Sequence, residues 1–189
     1  GGHIGPLASL PLWESAIDIL LDWAWEKGGL ADVSVLFAGG IHDARSAAMV
    51  ATLAAPLTER EAKTGVILGT AYLLTEEAVE TGAISRCFQD VALACTRTVS
   101  LPTGVGHASR CAATDFVETF FRTRGDLRRQ ALSDLEIQEQ LDALITGRLR
   151  VASRAEMRPE TACSLIKVTV EEQLKEGMFM VGQVAALHR

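Results

Sequence analysis

Long uninterrupted apolar runs are missing from this sequence of 189 residues. The apolar stretch at residues 7–12 is far shorter than a bilayer span, and three acidic residues interrupt the segment 13–25. Neither segment has the length and composition of a transmembrane helix. We therefore expect no membrane partner.

An excess of basic residues is also missing. The chain has 18 Lys and Arg against 24 Asp and Glu, so its net charge is −6. Nucleic-acid binding requires a basic surface that matches the phosphate backbone. The densest basic segment, residues 122–129, includes Asp126 and is typical of a solvated helix face. We therefore expect no nucleic acid among the partners.

Paired cysteines are missing as well. The four cysteines are scattered and form no Cys-x-x-Cys motif: Cys87, Cys95, Cys111 and Cys163. This pattern is typical of reduced thiols that are buried as small apolar side chains. It predicts a cytoplasmic location and no metal site.

What is present is ordinary globular material, with 48% hydrophobic and 22% charged residues. A chain of this length can bury one core. It does not begin with Met and it opens inside a glycine motif, Gly-Gly-His at residues 1–3. We expect a piece of a larger chain; the alternative is a small domain trimmed at its start.

Two apolar runs end in glycine. Residues 33–38 lead into Gly39 and Gly40, and residues 66–68 lead into Gly69. Such runs predict parallel strands that are buried on both faces. Glycine has no Cβ, so a phosphate can approach the backbone closely at these strand ends.

A helix separates the two strands. Asp43 is a good N-cap for a helix over residues 44–55, and Pro56 is expected to end it. Strand, helix and strand with short connections indicate a right-handed βαβ unit. The two glycine ends should therefore lie side by side at the carboxyl edge of a parallel sheet and share one anionic ligand.

Periodicity and turn residues predict the other elements. The expected helices cover 12–27, a short segment after Thr75, 114–130, 133–145 and the C-terminal end; the expected loops or connectors cover 1–11, 102–107 and 147–159; residues 87–100 fit either a helix or a strand.

These motifs, in this order, resemble the nitronate monooxygenase (2-nitropropane dioxygenase-like) family. The matching residues are Gly-Gly-His at 1–3, Gly-Gly-Ile at 39–41 followed by Asp43, and Gly-Thr at 69–70. That family consists of FMN-binding (β/α)8 barrels. The FMN-dependent bacterial enoyl-acyl-carrier-protein reductases and the enoyl reductase components of polyketide and polyunsaturated fatty-acid synthases share the fold and the motifs.

The resemblance implies an α/β fold in two parts. Residues 1–86 would form the C-terminal portion of a (β/α)8 TIM barrel, and residues 87–189 a mainly helical extension packed on it. The segments 103–110 and 177–183 are similar to the region after the barrel in synthase-embedded members. A larger multidomain chain is thus the expected setting.

The resemblance also implies site residues. Gly1 would lie against the flavin, and His3 would be catalytic. In nitronate oxidation His3 would withdraw a proton from the carbon beside the nitro group or stabilise the resulting anion; in enoyl reduction it would polarise the thioester carbonyl or supply a proton. Without the resemblance, His3 would be interpreted as a loop histidine with no functional role. No residue is expected to bind a metal.

The FMN phosphate would be bound at the two strand ends, by residues Gly39, Gly40, Leu68, Gly69 and Thr70. The family usually has Gln-Met-Gly-Thr at the second end, whereas Ile-Leu-Gly-Thr stands at 67–70 here. Any side-chain hydrogen bond from that glutamine is therefore lost.

Three further residues have open interpretations. Arg45 either reaches the phosphate or forms a surface ion pair. His107 either makes a structural hydrogen bond or contacts the substrate, with the first favoured. His42 is interpreted as a loop histidine.

The implied function is that of an FMN-dependent oxidoreductase. It would oxidise nitronates or, with NAD(P)H, reduce enoyl thioesters, so the substrate is a small molecule or an acyl group on a carrier. Alternatives are a non-catalytic scaffold barrel of a megasynthase and a dehydrogenase of the inosine-monophosphate type. The isolated chain is expected to be inactive, because two or three strands cannot close a barrel.

Overall fold

The computed structural model describes residues 2–104, 107–159 and 164–187, apart from the side chains of His3 and His107. In chain order the elements are β1 (Gly2–Ile4), α1 (Ser9–Lys27), β2 (Ser34–Ala38), α2 (Ala44–Thr58), β3 (Lys63–Ile67), α3 (Thr70–Leu73), α4 (Glu76–Glu80), α5 (Arg86–Ala94), β4 (Thr98–Gly104), β5 (His107–Ala112), α6 (Asp115–Arg129), α7 (Asp134–Ile145), α8 (Arg148–Arg154), β6 (Glu156–Met157), β7 (Ile166–Lys167), α9 (Val170–Glu176) and a terminal 3-10 helix (Gln183–Ala186).

These elements form two compact units. The smaller unit is Pro6–Ala71, and the larger unit combines Gly1–Gly5 with Tyr72–Arg189. Each unit is a group of residues that contact one another more than they contact the other unit. The expected boundary between barrel and extension at residue 86 stays a prediction.

The smaller unit contains the predicted strand, helix and strand. β2 and β3 pair in parallel from Ser34↔Lys63 to Ala38↔Ile67. Asp43 caps α2 in a capping box with Ser46, as the sequence indicates. The core lies on one side of this sheet, where α1 and α2 enclose the Phe37 side chain; the cluster is Trp13, Ile17, Ala24, Leu30, Phe37, Ile41, Val50, Ala54, Leu57 and Ala62.

The expectation that both faces of these strands are buried is wrong. Leu36 is 63% exposed and Ile67 is 48% exposed, whereas Phe37 is buried. Residues paired across a parallel ladder share a face, so Leu36 and Ile67 lie opposite the helix-covered side. Among the described residues, β2 and β3 pair only with each other, and no layer covers that second face.

Both helices of the smaller unit extend past the bounds that their prolines predict. α1 begins at Ser9, before the predicted residue 12, because Pro11 sits in the first turn, where its missing N–H is not needed. α2 continues through Pro56 to Thr58. Leu57 is fully buried, and its burial favours the added turn.

The larger unit is built on an antiparallel sheet in the order β1-β5-β4. The segments expected as loops at residues 1–11 and 102–107 therefore supply strands. β1 pairs with β5 from Gly2↔Arg110 to Ile4↔Ala108, and β4 forms a hairpin with β5. β6 and β7 form a separate antiparallel pair, and α8 lies within the predicted connector. The helices α6 and α7 lie where periodicity predicts them.

A buried amide joins three helices of this unit. Gln173 on α9 is almost fully buried, and its Nε2 donates hydrogen bonds to Ser85 Oγ and to the Ala152 carbonyl. Ser85 in turn caps α5 by accepting a hydrogen bond from the Phe88 N–H. One side chain therefore connects α9, α5 and α8.

The predicted mixed α/β class is confirmed. The expected barrel is not seen, because the strands of the described segments form one three-stranded sheet and two two-stranded sheets. Three cysteines are buried free thiols, as predicted: Cys87, Cys95 and Cys111. Cys163 lies outside the described residues.

Candidate functional site

The two glycine ends lie at the same edge of the β2–β3 sheet. The last paired residues are Ala38 and Ile67, so residues 39–40 and 68–69 leave the sheet side by side. We call residues 39–40 and 68–70 the glycine cradle. Its layout meets the condition for one shared phosphate site that the sequence predicts.

The backbone of the cradle requires glycine at the first end. Gly39 has φ 112° and Gly40 has φ 79°, values that residues with a Cβ rarely adopt. A Cβ built on Gly40 or on Gly69 would meet no described atom within 4 Å. Both glycines therefore border open space, which leaves room for a ligand to approach the backbone.

The other two cradle residues differ in exposure. Leu68 is about half exposed, whereas Thr70 is buried at the start of α3. The roles assigned to Leu68 and to the Thr70 hydroxyl stay predictions.

The first turn of α1 closes one side of the cradle. A Cβ on Gly39 would lie 2.4 Å from the Ser9 Oγ. Trp13, one turn further on, donates from Nε1 to the Ala38 carbonyl at 3.1 Å. Its ring packs edge-on against Phe37 at 6.0 Å between ring centroids. Sequence reasoning missed Ser9, because only the tertiary packing of α1 along β2 brings it to residue 39.

The N-terminus of α2 is already capped by the side chain of Asp43. The Asp43 carboxylate accepts a hydrogen bond from the Ser46 N–H at 2.8 Å and another from the Ser46 hydroxyl. These hydrogen bonds hold the pKa of Asp43 below its ordinary value, with smaller contributions from the charges of His42 and Arg45. The carboxylate therefore stays ionised and occupies the helix end that follows the first strand.

Two polar side chains flank this end. His42 Nδ1 lies 2.8 Å from the Gly40 carbonyl oxygen, so the ring is tied to the cradle backbone. Arg45 is exposed, and no ion pair joins it to another residue that the structure describes. The sequence leaves two roles for Arg45, a phosphate contact or a surface ion pair, and the described residues show no such ion pair. The phosphate contact stays a prediction.

The predicted catalytic loop falls largely outside the described residues. Gly1 and the side chain of His3 belong to that part, as does the side chain of His107. The backbone of His3 is described and pairs with Ser109 in the β1–β5 ladder. The roles of Gly1 and His3 stay predictions.

Metal-ligating clusters and membrane-spanning helices are both absent from the described segments. No group of three or more His, Cys, Asp or Glu side chains there could hold a metal ion. None of the helices in those segments combines the length and the apolar character needed to cross a membrane. What the smaller unit offers is a glycine-lined edge suited to an anion.

No protein-family model and no curated protein matches this sequence. A solved structure, that of FabK from Thermotoga maritima, is similar in fold with a TM-score of 0.58 and 23% sequence identity. The alignment covers 99% of this chain and 45% of the FabK chain, so this chain spans under half the length of FabK. FabK is a TIM barrel, and the likeness is one of fold.

Proposed function

We propose that this chain binds the phosphate of FMN in the glycine cradle, as part of an FMN-dependent oxidoreductase related to nitronate monooxygenases and enoyl reductases. One observation carries the proposal. The parallel register from Ser34↔Lys63 to Ala38↔Ile67 places both glycine ends at one edge of the sheet, with open space above Gly40 and Gly69.

The cradle offers backbone donors and open space that a phosphate can use. Backbone N–H groups of Gly39, Gly40 and Gly69 are the proposed donors, with the Thr70 hydroxyl as a further one. Side chains at Gly40 or Gly69 would fill the open space that the phosphate needs, whereas a Cβ on Gly39 would meet the Ser9 Oγ. When bound, FMN supplies the hydride and electron transfer.

The role proposed for His3 is to hold or move a proton. At its ring it would either take the proton from the carbon next to a nitro group or supply one to a reduced enoyl thioester. An imidazole titrates near neutral pH and suits both reactions.

Of the two reactions we favour enoyl-thioester reduction. FabK, whose fold this chain resembles, is an enoyl-acyl-carrier-protein reductase. The proposal then includes NAD(P)H as electron donor, an acyl-carrier-bound substrate, a longer cytoplasmic protein around this chain, and a barrel part that ends near residue 86. Oxidation of nitronates is the second candidate, on the motifs at residues 1–3, 39–41 and 69–70.

Phosphate recognition is testable on the 189-residue chain itself. In ¹⁵N-labelled protein, FMN should shift the amide signals of Gly40 and Gly69, whereas riboflavin, which has no phosphate, should leave them in place. Gly69→Leu should abolish the shift at Gly40, because the added side chain occupies the open space. Gly5→Ala, at another unobstructed glycine, is the matched control and should respond to FMN like the original chain.

The reaction is tested on the longest natural protein that contains this chain. NAD(P)H oxidation that depends on an enoyl thioester indicates the reductase; oxygen uptake with a nitronate and without nicotinamide indicates the monooxygenase. A colourless protein that takes up no added FMN would contradict the proposal and favour the scaffold alternative.

A further inference from the structure

Few charged side chains near the cradle could neutralise a bound phosphate. The helix that follows the first strand, α2, presents the Asp43 carboxylate at its N-terminus, and an ionised carboxylate repels a phosphate dianion. Arg45 in its first turn is exposed. Arg45 stays a candidate partner for the phosphate charge, and a further hydrogen-bond donor can come from another element beside residues 39–40.

Ser9 is placed to supply one. Its Oγ lies 2.4 Å from the position of a Cβ on Gly39, so the hydroxyl borders the backbone turn that would receive the phosphate. The side chain is partly exposed, and no hydrogen bond joins its hydroxyl to another described residue. A serine hydroxyl in this setting can donate to a phosphate oxygen.

The helix that carries Ser9 also has no competing negative charge. The first turn of α1 holds no acidic residue, and its N-cap, Ala8, has no side chain that could satisfy the helix end. Asp43 does this for α2. The two helix ends near the cradle are thus electrostatically different, and α1 is the one compatible with an anion.

On these grounds we infer that Ser9 is a phosphate-binding residue of the cradle, donating from its hydroxyl to the phosphomonoester of the ligand. The inference rests on the proposed function, since it needs a phosphate at Gly39 and Gly40. It adds a side-chain donor from the helix that precedes the first strand, which the motifs at residues 39–41 and 69–70 do not include.

The test compares FMN with riboflavin on four forms of the 189-residue chain, with amide shifts as the readout of affinity. The forms are the original chain, Ser9→Ala, Ser9→Thr and Ser15→Ala. Ser15 is an exposed serine on the same helix whose hydroxyl bonds to the Pro11 carbonyl at 2.9 Å, so it is the matched control.

Ser9→Ala should weaken FMN binding about tenfold, the size of one lost hydrogen bond to a charged group, and riboflavin should still leave the amide signals in place. Ser9→Thr keeps a hydroxyl and should keep most of the affinity for FMN. Ser15→Ala should bind FMN like the original chain. Circular dichroism of each variant checks that the total helix content is unchanged.

Two results would overturn the inference in distinguishable ways. If the original chain prefers FMN over riboflavin and Ser9→Ala keeps the full preference, or if Ser9→Thr loses as much as Ser9→Ala, the hydroxyl has no binding role while the proposed function stands. If the original chain shows no preference for FMN, the phosphate cradle itself is wrong, and the role of Ser9 fails with it.

Discussion

At the scale of single residues, two glycines of the larger unit have opposite environments. A Cβ on Gly177 would lie 2.5 Å from the Gln173 carbonyl oxygen and 3.0 Å from the Ala152 Cα, so the backbone itself would have to move. Gly125 lies inside α6, and the nearest atom to its Cβ would be the flexible end of Arg129 at 3.8 Å.

We expect Gly177→Ala to lower the free energy of unfolding by about 1–3 kcal/mol through overpacking. Gly125→Ala should raise it by about 0.5–1 kcal/mol, because alanine loses less backbone entropy in a helix. Urea unfolding followed by circular dichroism measures both. Equal effects of the two substitutions would show that the contacts around Gly177 are not as described.

The thiol of Cys111 leads to a chemical prediction. It is fully buried, and burial raises its pKa to about 12. At pH 8 only about one thiolate in ten thousand would then be present, so iodoacetamide should leave Cys111 unmodified in the folded chain and modify it in urea. Peptide mass spectrometry gives the site. Modification at the same rate in both conditions would contradict the burial.

At the scale of elements, β2 has one supporting and one free face. Phe37→Ala should cost about 3–5 kcal/mol of stability, because Phe37 is buried against Trp13 and α2. Leu36→Ala, one residue earlier on the exposed face, should cost less than about 1 kcal/mol. Tryptophan fluorescence during urea unfolding, to which Trp13, Trp23 and Trp25 contribute, reports on both. Similar costs would mean that the second face is covered.

The cap of α2 predicts a pH dependence. Hydrogen bonds from Ser46 hold the pKa of Asp43 below its ordinary value of 3.8. The stabilisation is therefore complete above that value and is lost as the pH falls through the lowered pKa. Asp43→Ala should destabilise the chain at pH 7 and make a smaller difference at pH 3. Asp22→Ala, on an exposed part of α1, is the control for the removal of a surface carboxylate.

Local signals predicted these elements well where neighbouring residues decide the structure. The Asp43 cap, the glycines after Lys27 and the periodicity of α6 and α7 act within one or two turns. The β1–β5 pairing could not be read in this way, because it joins Gly2 to Arg110, which are far apart in the sequence. Which strand face is buried likewise depends on what packs there, which periodicity does not specify.

The candidate site shows the same division. The cradle glycines were predicted, because a strand that ends in glycine is a local pattern and consecutive parallel strands are neighbours. Ser9 was not, because no spacing along the chain relates it to Gly39.

At the scale of the whole molecule, charge makes the clearest prediction. The net charge is −6, and Arg129 on α6, the helix with the most arginines, already pairs with Asp126. Duplex DNA should therefore not bind at physiological salt. Fluorescence anisotropy of a labelled duplex measures this, with a basic DNA-binding protein as the positive control. A salt-sensitive rise in anisotropy would show that the arginines of α6 act as a cationic surface.

The amide of Gln173 has a consequence for motion. Because its nitrogen donates to both Ser85 Oγ and the Ala152 carbonyl, the departure of α9 would take one hydrogen bond from each of these groups and leave only the bond between them and the Phe88 cap. Local opening of any one of the three helices α5, α8 and α9 therefore costs hydrogen bonds to the others. Deuterium uptake at their slowest amides should proceed through a single shared opening, and Gln173→Leu should accelerate it in all three segments together.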